Sequence, residues 1–184
     1  MNTRTLAAAV TLSALTACGS TQLTAQPVLT TQGVRTTPKN IQLSGTAVYD
    51  VSGSIYPAPP SGYADFVSYP GLVLSGSLQG CWYTKVDTFK ETPSGVYLET
   101  GREVFVGSLN GGPIGVFATT YKFESKWDPD VSTGTEVFGR CQHPLVAGSG
   151  TGGFAGATGR VDIKDIVADP SNIYYVYRGH IRTR

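Results

Sequence analysis

The chain has 184 residues, with 14 Lys and Arg against 13 Asp and Glu, and charged residues make up 15% of it, below the ~25% usual in soluble proteins. So even a balance gives no electrostatic pull toward nucleic acid, which is excluded as an expected partner. The 23 glycines and ten tyrosines, set among Val, Thr and Phe, are the composition of strands and turns rather than of helices.

The first segment, residues 1–17, reads as a signal peptide. Arg4 is its one charge, and Thr5 to Ala17 is an uncharged run rich in Leu, Ala and Val, too short for the ~20 apolar residues that span a bilayer. It ends Leu15-Thr16-Ala17-Cys18-Gly19, the pattern of a bacterial lipobox. The expectation is cleavage before Cys18, acyl chains of the palmitate kind on Cys18, and a protein held in the cell envelope by two or three lipid chains. The plain alternative is an ordinary signal peptide with an incidental cysteine. Gly19, in place of Asp, resembles the default sorting of such lipoproteins to the outer membrane. The membrane is then one partner, and a larger outer-membrane or surface-layer assembly could be another. Residues 18–40, rich in Thr and Gln and without an acid, read as a flexible tether.

From Ile41 to the end the pattern predicts one domain. Ile41, Leu43, Ala47 and Tyr49 share one parity, as in a half-buried strand. Residues 52–63 carry three prolines, two glycines and two tyrosines and read as a long loop, either functional or a plain surface flap. Leu72 to Val86 predicts one or two strands with bulges at Gly76 and Gly80, and Val96 to Leu109 a strand broken at Gly101. Asn110-Gly111-Gly112-Pro113 predicts a turn. The clearest alternation follows: Phe117, Thr119, Tyr121, Phe123, Ser125 and Trp127 on one face, with Ala118, Thr120, Lys122, Glu124 and Lys126 on the other. Further strands are expected at Glu136–His143, Val161–Val167 and Ile173–Ile181. The last has Ile173, Tyr175, Tyr177 and Ile181 on one face and Tyr174, Val176, Arg178, His180 and Arg182 on the other. Seven or eight strands joined by Gly-rich turns, with no amphipathic helix, predict an all-β fold, a single small antiparallel β-barrel or sandwich of about eight strands, with closure favoured because it hides strand edges.

Residues 148–159 read Gly-Ser-Gly-Thr-Gly-Gly-Phe-Ala-Gly-Ala-Thr-Gly. The run resembles the hairpin of allene oxide cyclase and dirigent-type barrels and of a group of secreted bacterial proteins. The resemblance implies a small eight-stranded antiparallel barrel with an apolar cavity, steering a reactive small molecule without a cofactor. The acids and tyrosines that act in those plant proteins have no residue-by-residue match here. The run also fits G-x-G-x-x-G, but a strand-like segment follows it where a dinucleotide site needs a helix, so a tight hairpin is expected. Asp128, Asp130 and Ser132 faintly echo a calcium loop, but Thr133 and Gly139 stand where it needs Gly and Glu, so an acidic turn is expected.

Two further cysteines, Cys81 and Cys141, form an even pair in an oxidising compartment, and a disulfide closing about 60 residues is expected to add ~4 kcal/mol. The two histidines, His143 and His180, are the candidate metal ligands. With a carboxylate or tyrosine they would suit Cu(II) in a redox enzyme of superoxide-dismutase type, although no His-x-His motif is present and Arg178 and Arg182 flank His180; the bland reading is two ordinary polar side chains. Phe117, Tyr121, Phe123, Trp127, Tyr175 and Tyr177 could line an apolar ligand cavity or simply fill the barrel. The leading expectation is an envelope-anchored lipoprotein whose barrel binds an apolar ligand or a protein partner, with no organic cofactor. No nucleophile elbow is present.

Overall fold

The computed structural model describes residues 38–53 and 58–183. The leader, Cys18 and nearly all of the tether lie outside the described residues. The described chain is all β, as expected. Its strands are β1 (Lys39–Tyr49), β2 (Leu72–Gly76), β3 (Leu78–Glu91), β4 (Val96–Leu109), β5 (Gly115–Asp128), β6 (Thr135–Pro144), the two-residue β7 (Thr151–Gly152), β8 (Thr158–Ile166) and β9 (Tyr174–Thr183). Lys39 and Asn40 therefore belong to the first strand rather than to the tether.

Eight of these strands close into an antiparallel barrel. Each pairs with its neighbour in the chain, β6 with β8 across the glycine-rich run, and β9 returns to β1 with Ile41 opposite Ile181 and Ala47 opposite Tyr175. Every long strand thus has two hydrogen-bonded neighbours, which removes the exposed edges of an open sheet.

The alternation seen in the sequence sets the inside of the barrel. Phe117, Thr119, Tyr121, Phe123, Ser125 and Trp127 of β5 face inward. Opposite them in β4 stand Phe105 against Phe117, Glu103 against Thr119, Gly101 against Tyr121, and Glu99 against Phe123. Gly101 does not break β4. A Cβ there would lie 2.5 Å from the Tyr121 ring, so glycine is what lets that ring lie flat across the strand. Gly45 does the same at the other end, where a Cβ would fall 2.4 Å from the Tyr177 hydroxyl. That hydroxyl accepts a hydrogen bond from the Leu78 amide at 2.8 Å. Gly76, expected as a bulge, forms the turn between β2 and β3 with a φ of 111°.

One end of the barrel is packed solid. Leu43, Leu78, Phe105, Phe117, Phe154, Val161, Tyr177 and Ile181 are buried there. Trp82, Phe105, Phe117 and Phe154 meet with centroids 4.8–5.9 Å apart, mostly edge to face, the geometry favoured by ring quadrupoles. The glycine-rich run supplies the stopper. It is not a simple hairpin: Thr151 and Gly152 pair with Val116 and Gly115, and the turn after them drives Phe154 into the core.

A second apolar cluster lies outside the wall. Phe66, from the segment between β1 and β2, covers Cys81, Tyr83 and Val104. This corrects the disulfide expectation. Cys81 and Cys141 are free thiols: Cys81 faces this outer cluster, whereas Cys141 faces the barrel interior. The wall stands between them. The acidic turn is as expected, with Asp130 accepting the Ser132 and Thr133 amides at 3.0 and 2.9 Å.

Candidate functional site

The other end of the barrel is hollow. Around a cavity of about 320 Å³ stand Tyr49, Tyr69, Tyr97, Tyr121, Phe123, Trp127 and Tyr175, together with Glu99, Glu103, Glu136, Asp165 and His143. The volume is at the small end of the ~300–1,000 Å³ of typical ligand pockets. Most of these side chains come from inward positions of β1, β4, β5, β6, β8 and β9. Tyr69 comes from the β1–β2 segment and reaches over the rim.

Three groups of acids organise the wall. Glu99 is buried and receives three phenol O–H bonds: Tyr69 and Tyr97 donate to Oε2 at 2.6 and 2.5 Å, and Tyr121 donates to Oε1 at 2.5 Å. These are short O–H···O bonds, at the lower end of the range for such pairs. Burial, and then the bond to Glu99, push the Tyr97 hydroxyl up to about 12 and the hydroxyls of Tyr69 and Tyr121 higher still. The phenols stay protonated donors.

Glu103 lies deeper. Thr84 and Thr119 donate to its two oxygens at 3.1 and 3.2 Å, and His143 Nε2 is 3.2 Å from Oε2. His143 Nδ1 lies 3.2 Å from the Val161 carbonyl, so it carries the proton and leaves Nε2 as an acceptor. Burial pushes the Glu103 carboxyl up to about 8 and the His143 imidazole down to about 4. Near neutrality the pair therefore holds a carboxylic acid donating to a neutral imidazole rather than two ions, the cheaper state where charge is poorly solvated.

Glu136 and Asp165 form a carboxyl pair across β6 and β8. Burial and the neighbouring Glu136 raise Asp165 to about 8, and burial raises Glu136. Glu136 Oε1 is buried and meets no N–H donor; the Asp165 carboxyl, protonated near neutrality, is the hydrogen-bonding partner of Glu136. Above them the Tyr49 and Tyr175 rings meet edge to face at 5.3 Å.

Of the six aromatic residues expected at a cavity, Tyr121, Phe123, Trp127 and Tyr175 line it, while Phe117 and Tyr177 belong to the packed end. The two histidines do not come together. His143 faces the interior, 2% exposed, whereas His180 lies on the outer face of β9 among Arg178 and Arg182. Both His143 nitrogens are engaged, and among the described residues no group of three or more His, Cys, Asp or Glu is placed to hold a metal ion. The donor set does not fit a two-histidine copper centre.

Glu99, Glu103, Glu136 and Asp165 were not singled out from the sequence, nor were Tyr49, Tyr69 and Tyr97. A signal existed for three of the acids. Glu99 and Glu103 share the parity of Phe105, and Asp165 that of Val161 and Ile163; an acid on the apolar face of a strand faces the interior.

The fold and the site define a small up-and-down barrel, stoppered at one end and lined with acids and tyrosines at the other. No protein-family model, curated protein or solved structure matches the chain.

Proposed function

We propose that the protein is an envelope-anchored lipoprotein whose barrel holds a small organic molecule in its hollow end. The observation that carries this reading is the contrast inside one barrel: one end filled to contact, the other left open around convergent polar groups. That is the usual form of a ligand site. The leader ending at Cys18 supports the envelope location, and the likeness of residues 148–159 to allene oxide cyclase and dirigent-type barrels supports a small-molecule role. The test is a thermal-shift screen of small molecules with Ser125→Phe as the control. Ser125 is 1% exposed on the cavity wall, and a ring there fills the hollow. A ligand at 100 times its Kd stabilises the protein by about 2.7 kcal/mol. A hit whose shift persists in Ser125→Phe binds elsewhere and removes the reading.

The Glu103–His143 pair favours a second reading, cofactor-free proton transfer on the bound molecule. A protonated carboxyl with a pKa of about 8 at a cavity wall is poised to give and take a proton near neutral pH. Under this reading Glu103→Gln keeps ligand binding and loses turnover. Retained turnover would leave binding alone.

A further inference from the structure

We propose that the hollow end is a receptor for a small organic cation, an amine or quaternary ammonium compound; the inference rests on the small-molecule reading above and names its ligand class. Four carboxyl groups line the cavity and no lysine or arginine does, among the described residues. The one basic side chain, His143, is neutral there. An anionic ligand would meet no countercharge and several oxygens.

Hydrogen-bond capacity points the same way. Many of the donors present are already used: the hydroxyls of Tyr69, Tyr97 and Tyr121 on Glu99, those of Thr84 and Thr119 on Glu103, and the Trp127 indole N–H on Ser125 Oγ at 3.0 Å. The acids leave acceptor capacity beside the cavity. Its clearest instance is Glu136 Oε1, a buried oxygen that meets no N–H donor and has only the Asp165 carboxyl beside it. A cationic N–H, or the polarised methyl groups of a quaternary nitrogen, would take the place of the proton that Glu136 and Asp165 hold between them, the proton leaving to solvent as the pair ionises beside the cation.

The aromatic wall completes the match. Tyr97, Phe123 and Trp127 stand together at the acid-lined end, with Tyr97 and Phe123 at 6.2 Å, and Tyr49 and Tyr175 close the other side. A cation within ~6 Å of such faces is attracted by the ring quadrupoles, most strongly where water is excluded. Acids behind aromatic rings, able to ionise beside a bound cation, discriminate against neutral molecules of the same shape, which give them no charge to pair.

The experiment compares choline with its neutral carbon isostere, 3,3-dimethylbutan-1-ol. Each is titrated into the full chain and followed by calorimetry, with tryptophan fluorescence as a second readout wherever Trp127 is kept. The expected result is tighter binding of choline by roughly tenfold or more. Glu136→Gln and, independently, Trp127→Leu should each weaken choline by at least about tenfold while leaving the isostere within about threefold. Equal or tighter binding of the isostere overturns the cation inference and leaves the small-molecule reading standing. So does failure of both probes in a protein that binds an anionic or neutral hit from the screen. Failure of both probes together with an empty screen overturns both. Choline binding unchanged in both variants places the cation elsewhere and overturns the inference.

Discussion

At the stoppered end of the barrel, Phe105, Phe117, Phe154 and Trp82 touch one another and exclude everything else. At the hollow end, rings of similar size stand around a space of about 320 Å³ edged with carboxyl oxygens. The same strands build both. β4 carries Phe105 to one end and Glu99 to the other, and β5 carries Phe117 and Trp127. The difference lies in what the inward positions hold. Where they alternate aromatic and aliphatic groups the interior closes to contact density. Where acids intervene, Glu99 and Glu103 draw hydroxyl donors from several parts of the chain and the centre stays open. The packed end stabilises the molecule, and that surplus offsets the burial of ionisable groups that function would need.

The comparison predicts unequal losses. Phe117→Ala removes a ring in full contact and should lower stability by about 3–5 kcal/mol. Phe123→Ala borders the cavity and should lower it by only about 1–2 kcal/mol. Chemical denaturation of the two variants decides the matter, and equal losses would break the distinction between the ends.

The next effect is in pH. Glu103 and Asp165 have folded pKa values of about 8, above those of the open chain. Between the two values the fold holds protons that the unfolded chain has released, so stability falls as pH rises toward 8 and levels off above it. His143, lowered to about 4, acts in another window: the open chain binds a proton below about 6.5 that the fold refuses until about pH 4, so its contribution is lost as pH falls. From pH 6.5 to 8 the acids act without it. The melting temperature should therefore decline across that interval, with Glu103 alone accounting for about 2 kcal/mol. Glu103→Gln should flatten the slope. A melting temperature that rises from pH 6.5 to 8 would contradict the buried acids.

Smaller still is Tyr121→Phe. It deletes one of three donors to Glu99 and should lower stability by about 1–1.5 kcal/mol, measured by urea titration. The smallest expected effect concerns the thiols. Reducing agent should shift the melting temperature by no more than about 1 °C, since no bond exists to break; a disulfide worth ~4 kcal/mol would show at once. A thiol dye should label Cys81 and Cys141 only on unfolding.

Much of this was legible from alternation. β5 reads straight off the sequence because one of its faces is wet. β3 does not: Gly80 to Thr84 is buried without a break, because Phe66 and its segment cover the outer wall. Alternation then gives no face, and Cys81 could be placed on either side. His180, by contrast, shares its parity with Arg178 and Arg182, so its outward direction was already visible. The acids were missed because charge in a strand usually marks the solvent face. Their partners also come from distant parts of the chain; Tyr69 and Tyr121 are separated from Glu99 by 30 and 22 residues. The stopper was hidden too, since a glycine-rich run announces a turn but not that Phe154 fills the barrel behind it.

The seam between β1 and β9 sets the order in which the molecule can assemble. Seven of the eight strand contacts in the ring join neighbours in the chain and can form as each hairpin emerges. The eighth joins residues 39–47 to residues 175–183, and bringing those ends together carries the largest loop-closure entropy of the fold. A chain delivered amino end first, from a ribosome or across a membrane, keeps β1 and β8 with one unpaired side each until its final strand arrives. Only then does the hollow end become an enclosed space, so the chain is complete before it can retain anything inside.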